Sequence, residues 1–402
     1  MLDEPTRSGP RAVIVGAGIG GLAAAIGLLR AGWAPTVFER SPTPGGLGAG
    51  VSLWSNALAA LDALGVGAAV RRAGTLQGGG GVRTTDGQWL ARSGGAALLE
   101  RAGVALLLMH RAQLHSELLA ALPTDVVVAG AIVTEIQQTV EQVVVGYDGP
   151  TGRAETHAEL VVGADGVHSS VRRWCWPEAP APRYAGFTAW RGVTDEPIDI
   201  EGEAAETWGR GAEFGAVPLA DGRVYWFGTA NLPEATTFVD ERAEVLRRFG
   251  HWHRPIPTVV QATTTAAVLH HDIYHLPRPL PHFVRGRVVL LGDAAHAMTP
   301  NLGQGACVAL EDAAVLAGSL AADSDLARAL ASYDQQRRPR AEDMVKMSAQ
   351  MGRMIQHPNR AAAGLRNLAV RATPQRYAMR RLARLTNWTP PTITSDHQTD
   401  TP

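Results

Sequence analysis

Residues 11–40 read RAVIVGAGIGGLAAAIGLLRAGWAPTVFER, and this stretch decides the fold. Arg11 to Val15 predicts a short buried strand, Ala17 to Arg30 a helix and Ala34 to Glu39 a second strand, which together make a β-α-β opening. Between the first strand and the helix stands Gly16-Ala17-Gly18-Ile19-Gly20-Gly21. Gly16 permits the tight turn, Gly18 lets a pyrophosphate approach the backbone, and Gly21 lets helix and strand pack closely. The helix N-terminus adds a partial positive charge for phosphates. Glu39 falls about 20 residues after the loop begins, where an acidic side chain accepts hydrogen bonds from a ribose diol. Arg40 follows it and is grouped with the same contacts. A glycine loop alone is a weak signal. In a strand, loop, helix, strand and glutamate context it predicts a bound dinucleotide, FAD as readily as NAD.

Ala12 to Leu29 carries no charge and is long enough to raise a membrane span or signal peptide, but Gly16, Gly18, Gly20, Gly21 and Gly27 interrupt it. A buried strand, turn and helix is the better reading, so no integral membrane segment is expected and the chain is placed in the cytoplasm. The cysteines, Cys175 and Cys307, suit a reducing compartment and packed thiols rather than a disulfide framework. With 402 residues the chain exceeds what one hydrophobic core supports, which favours two interlocked domains. Its 37 basic and 38 acidic residues leave a net charge of -1 with no long single-sign block, which argues against a nucleic-acid partner. The histidine pairs His251 and His253, and His270 and His271, lack helical ligand spacing, so no metal is expected.

Further along, Asp86-Gly87 marks a hairpin within Val82 to Leu90, after the glycine run Gly78 to Gly81. Arg111 to Leu122 reads as a helix with Leu114, Leu118, Leu119 and Leu122 on one face. Strands are predicted over Asp125 to Val133, Glu141 to Tyr147 and Ala158 to Val162. From Trp174 to about Phe283 prolines and aromatics increase, and Gly222 to Ala230 alternates so that Tyr225, Phe227 and Thr229 share a face. Val288 to Leu291 returns to a buried strand, and Gly305 to Leu320 is a long apolar helix. Arg340 to Arg384 is helical, with arginines that include Arg366 on a solvated face, and residues from Thr392 are expected to be loose.

Two further motifs resemble each other in design. Val161-Val162-Gly163-Ala164-Asp165-Gly166 and Val288-Val289-Leu290-Leu291-Gly292-Asp293 each deliver an aspartate and a glycine at the carboxyl end of a buried strand, where open α/β sheets bind ligands. The second continues through Pro300-Asn301-Leu302-Gly303-Gln304-Gly305. In this order and spacing the three motifs resemble the FAD-dependent aromatic hydroxylases, the salicylate-, hydroxybenzoate- and urate-hydroxylase-type enzymes, from about Arg11 to Ala341.

The resemblance implies an α/β (α+β) fold: a Rossmann-like FAD-binding domain with an interleaved antiparallel-sheet substrate domain and C-terminal helices. The expected division assigns 11–75, 100–173 and 286–340 to the FAD-binding domain, 76–99 and 174–285 to the substrate domain, 341–391 to the helices and 392–402 to a disordered tail. By the same resemblance Gly16, Gly18, Gly21 and Glu39 hold the ADP half of FAD, and Arg111 contacts the cofactor. Asp165 is linked to FAD and the reduced nicotinamide, and Gly292-Asp293 holds the ribityl chain. Val51 lies on a second flavin-proximal stretch, Gly48 to Ser52. Asn301, Gly303 and Gly305 precede a helix whose N-terminal amides would face the pyrimidine edge of the flavin.

The implied activity is that of a monooxygenase using NADH or NADPH and O2, through a flavin hydroperoxide, to hydroxylate a small aromatic or heteroaromatic substrate, as a monomer or homodimer. Arg191, Tyr225 and Pro300 are the candidates on the catalytic side. Tyr225 reads equally as a core residue, Arg191 as a brace of the sheet, and His296 as packing at a helix start. The pocket arginine of the resembling urate hydroxylases aligns with Glu213, which argues against urate. A flavin-dependent halogenase would need a lysine beside the substrate chamber, and Lys346, the single lysine, lies on a C-terminal helix. A flavoprotein oxidase or reductase without oxygen insertion, or a non-catalytic flavin-binding protein, shares the cofactor signature and differs in the fate of oxygen.

Overall fold

The computed structural model describes residues 9–45, 49–77, 79–94, 104–200 and 204–393. Its first layer is a six-stranded sheet in the order Val284–Arg285, Val288–Leu290, Leu160–Gly163, Arg11–Val15, Ala34–Glu39, Val127–Ala129. All neighbours run parallel except the first two. A strand buried on both faces needs no alternation, which is why RAVIV, LVVG and VVL are apolar throughout.

The apolar helix Ile19–Arg30 covers this sheet, and a second apolar helix, Gly305–Ala322, packs on that helix. Their approach is set by small residues, since a Cβ on Gly27 would lie 2.8 Å from that of Ala317. Gly305–Ala322 is, among the described residues, the one helix long and apolar enough to cross a membrane, and most of it is buried in this core. The first helix starts at Ile19 rather than Ala17, because Gly18 is its extended N-cap and the Ala17 N–H is taken by Glu39.

A second sheet of seven strands runs in the order Leu269–His275, Arg183–Val193, Val224–Asn231, Ala212–Pro218, Ala204–Trp208, Gly79–Thr84, Trp89–Gly94. It is antiparallel except at one join, where Ala204–Trp208 runs parallel to Gly79–Thr84. The Asp86-Gly87 hairpin therefore extends this sheet, with Gly87 at φ +89°. Along Val224–Asn231, Val224, Trp226 and Ala230 face a second core with Phe214 and Phe249, which leaves Tyr225, Phe227 and Thr229 on the opposite face.

Several expectations need correction. Asp125 to Val133 is not one strand. Gly130, at φ +68°, breaks it into Val127–Ala129 on the parallel sheet and Ile132–Gln138 in a separate three-stranded antiparallel sheet. The strand predicted from Ala158 to Val162 is likewise split, into Gly152–Ala158 and Leu160–Gly163. The C-terminal helices are Leu326–Ile355, Arg360–Ala372 and Gln375–Thr386, and Arg366 does not lie on a solvated face. It is 6% exposed, donates to the carbonyls of Gly209 and Ile355, and stacks over Trp208. Leu365 and Leu368 face outward instead. At the C-terminal end Ile393 is buried in the main core rather than loose. Gly48, Gly78 and the tail from residue 394 lie outside the described residues.

Candidate active site

The carboxyl ends of the parallel strands open onto a cavity of about 550 Å³, and one face of the seven-stranded sheet closes its far side. At the near side the glycine loop is built from backbone contacts. Gly16 takes φ +104°, and a Cβ there would lie 2.6 Å from the Ala164 carbonyl. A Cβ on Gly21 would lie 1.9 Å from the Gly16 carbonyl. Gly16 and Gly21 therefore shape the loop without lining the cavity. Gly18 does line it, and a Cβ there would meet nothing within 4 Å.

Glu39 braces this loop, its two oxygens accepting the N–H groups of Ala17 at 2.8 Å and Ser41 at 2.9 Å. Each oxygen keeps acceptor capacity for a hydroxyl. Arg40 is exposed and outside the cavity lining. Asp165 also lies behind the lining. Its Oδ2 accepts the N–H groups of Ser170 and Val171, while Oδ1 is buried with no partner among the described residues.

Asp293 faces the cavity from the turn made by Gly292, which has φ +56°. Desolvation by the protein around the cavity raises its pKa, against the attraction of His296, Arg111 and Arg172. Beneath the turn lies a buried ionic network. Asp312 accepts the Gly292 N–H at 2.9 Å, His296 Nε2 at 2.5 Å and Arg337 Nε at 2.7 Å. Arg337 also reaches Glu311 at 2.6 Å, and Glu311 accepts Asn56 Nδ2 at 2.6 Å. His296 is thus a support for the Asp293 turn.

Pro300–Leu302 forms a short 3₁₀ turn, Gly303 sits at φ +61°, and Gly305 begins the long helix at the cavity edge. That helix has no side-chain N-cap, and a Cβ on Gly305 would meet nothing within 4 Å. Asn301 also lines the cavity, although a Cβ on Gly352 of the Leu326–Ile355 helix would lie only 2.6 Å from its Oδ1. Val51 lines the cavity from the strand Gly50–Trp54. Arg111 starts its helix with its N–H on the Ala49 carbonyl and projects into the same space. Burial lowers its pKa, Asp293 opposes this, and the charge of Arg191 adds to it.

On the sheet wall, strand register brings Arg191, Phe227 and Gly215 side by side, and Thr229 beside Glu213. Tyr225 is 9% exposed and lies close to the Arg191 charge. Burial raises its pKa, and the Arg191 charge opposes the rise. A Cβ on Gly50 would collide with its ring, so Gly50 makes room for Tyr225. Sequence reasoning did not single out Glu206 as a site residue, or Glu213 as more than a misfit to urate. Both line the cavity. A glutamate inside the apolar run of Ala212–Pro218 was the available signal.

These features fit FAD. Gly18 and Gly305 leave open cradles at two ends of the cavity, beside uncapped N-termini of long helices. Asp165 and Asp293 carry carboxylate oxygens that no described residue satisfies, as a cofactor rich in hydroxyl and amide donors requires.

Comparisons with known proteins agree. A family described as "FAD binding domain" matches residues 11–348. The chain is 40% identical to an aurachin C monooxygenase/isomerase of Stigmatella aurantiaca over 374 residues, covering 91% of this chain and 94% of that protein. It is 35% identical to a 2-heptyl-3-hydroxy-4(1H)-quinolone synthase of Pseudomonas aeruginosa, covering 90% and 94%. The structure of Klebsiella pneumoniae HpxO complexed with FAD and uric acid superposes with a TM-score of 0.87 at 29% identity, covering 94% of this chain and 97% of that one. The chain belongs to the FAD binding domain family and is an FAD-dependent monooxygenase of the aromatic hydroxylase type.

Proposed function

We propose that this monooxygenase hydroxylates an electron-rich heteroaromatic ring of about quinolone size, with NADH or NADPH as reductant. The observation that carries the reading is the continuity of one cavity from Gly18 and Gly305 to the wall of Arg191, Tyr225 and Phe227. Cofactor and substrate would share it. The name of the quinolone synthase supports a bicyclic nitrogen heterocycle.

FAD, when bound, accepts electrons from the reduced nicotinamide and delivers one atom of O2 to the ring. The residues would position it. Gly16, Gly18 and Gly21 with the first helix would hold the pyrophosphate, and Glu39 the adenosine ribose, with Arg40 beside it. Asp293, set on Gly292, would accept from the ribityl hydroxyls, and Asp165 would take a further donor on Oδ1. Val51 and Arg111 would flank the ring system. Asn301, Gly303 and Gly305 would bring the helix N-terminus against it, where partial positive charge stabilises a reduced, anionic ring. Pro300 fixes the turn that aims this helix, while Arg191 and Tyr225 would orient the substrate.

In this reading 11–75, 100–173 and 286–340 carry the cofactor, 76–99 and 174–285 the substrate, and 341–391 brace the two. The cytoplasm is the proposed compartment, supported by the unpaired Cys175 and Cys307 and by the need for reduced nicotinamide. The test is product analysis under labelled O2 with a panel of phenols, indoles and quinolones. One labelled oxygen atom in an organic product is expected. Nicotinamide oxidation that yields only hydrogen peroxide, with no label in any product, would contradict the reading.

A further inference from the structure

The cavity has a polarity of its own. Arg111 lies near Asp293, at the proposed cofactor end, and feels the charge of Arg191 on the sheet wall. The other end is lined by Glu206 and Glu213. They stand diagonally on adjacent strands, Glu206 opposite Gly215 and Glu213 opposite Trp208, so both project from the same face as Phe227 and Thr229. Glu213 is 3% exposed. Burial with repulsion from Glu206 pushes Glu213 well above the usual carboxylate range. Two carboxylates held this close do not both ionise, so the pair keeps a proton.

Donors for this pair are scarce. The Trp208 indole N–H reaches Glu206 Oε2 at 3.1 Å. Arg366, the guanidinium that attracts Glu213, donates its hydrogen bonds to the Gly209 and Ile355 carbonyls and to Asn367 Oδ1. Beside Glu213, Thr229 Oγ1 accepts Gln356 Nε2 at 2.6 Å and keeps one proton to donate, while Gln356 Oε1, behind the lining and 8% exposed, has no donor among the described residues. Acceptors therefore outnumber donors at this end, and desolvated acceptors are unfavourable until a donor arrives. Phe227, Tyr225 and Ala189 form an apolar flank against which a flat ring can lie.

We propose that Glu206 and Glu213 are the specificity element of the chamber, accepting a hydrogen bond from the ring N–H of an uncharged nitrogen heterocycle. This rests on the proposed function and narrows its substrate class. A free anion is disfavoured there by the residual negative charge, and an N-alkylated ring leaves the acceptors unmet.

The test uses the FAD-loaded enzyme and three probes, 4(1H)-quinolone, 1-methyl-4-quinolone and salicylate, titrated against the flavin absorbance spectrum. Wild type should bind the N–H compound about tenfold or more tighter than its N-methyl analogue, as the loss of one buried hydrogen bond implies. Salicylate should bind more weakly than either. In Glu206→Gln/Glu213→Gln, and in Glu213→Gln alone, the N–H preference should shrink severalfold. Equal binding of both quinolones by wild type, or a preference unchanged in the variants, would overturn the proposal. If both quinolones are hydroxylated with label at equal KM, this inference falls while the monooxygenase reading stands.

Discussion

At Asp293 a carboxylate is exposed to the open cavity and, among the described residues, receives no hydrogen bond. Desolvation by the protein around the cavity raises its pKa, with His296, Arg111 and Arg172 pulling the other way. Such an acceptor suits a ligand hydroxyl. Asp293→Ala is expected to weaken FAD by about tenfold to a hundredfold, the range for a lost buried hydrogen bond to a charged group, while apoprotein melting stays unchanged. Quenching of flavin fluorescence on titration measures this, and an unaltered affinity would count against the role. Gly18 and Asp293 were legible in the sequence because a glycine or aspartate at a strand's carboxyl end states its geometry locally. Glu206 was not legible. It meets Glu213 only through the register of two strands, and nothing in either segment announces that pairing. Arg366 misled for a related reason. Helical periodicity places it among solvated arginines, whereas the carbonyls that bury it belong to distant residues 209 and 355.

Elements carry the next constraint. The helices Gly305–Ala322 and Leu326–Ile355 are joined by Arg337, 1% exposed, lying between Glu311 and Asp312, both fully buried. Arg337→Leu would remove one cation shared by two buried carboxylates, leaving Glu311 to Arg340 and Asp312 to His296, and is expected to cost about 3 kcal/mol, the low end for a broken buried pair. Urea denaturation would show it, and a loss below about 1 kcal/mol would be too small for a buried network. Acid acts on the same place. Burial alone would raise the Asp312 pKa, but His296, Arg337 and the Gly292 N–H together hold it at about 2. The depressed pKa contributes stability that is complete above about pH 4, the unfolded value, and is lost as pH falls toward about 2. Asp312→Asn should flatten the acid limb of the stability profile in that window. An identical slope in the variant would refute the assignment. The apolar strands and long helices of these elements were readable from composition. The break at Gly130 and the parallel join between Ala204–Trp208 and Gly79–Thr84 were not, since one depends on a single backbone rotation and the other on pairing across more than a hundred residues.

For the whole molecule, interleaved chain segments place two sheets of different character on opposite sides of one cavity. The parallel sheet delivers Gly16, Asp165 and Asp293 at its carboxyl ends, and the other sheet turns Tyr225, Phe227 and Glu213 toward them. Three short motifs revealed the first sheet and the family. The second sheet's contribution rested on alternation along Val224–Asn231, which identified a face but not its neighbours. The central claim is that FAD lies extended across this cavity with the substrate beyond its ring. A crystal structure of the chain grown with FAD tests it most directly. The pyrophosphate should lie at Gly16 to Gly21, the ribityl chain beside Asp293 and the ring between Gly305 and Tyr225. A flavin bound elsewhere, or a cavity that stays closed to it in saturating FAD, would contradict the claim.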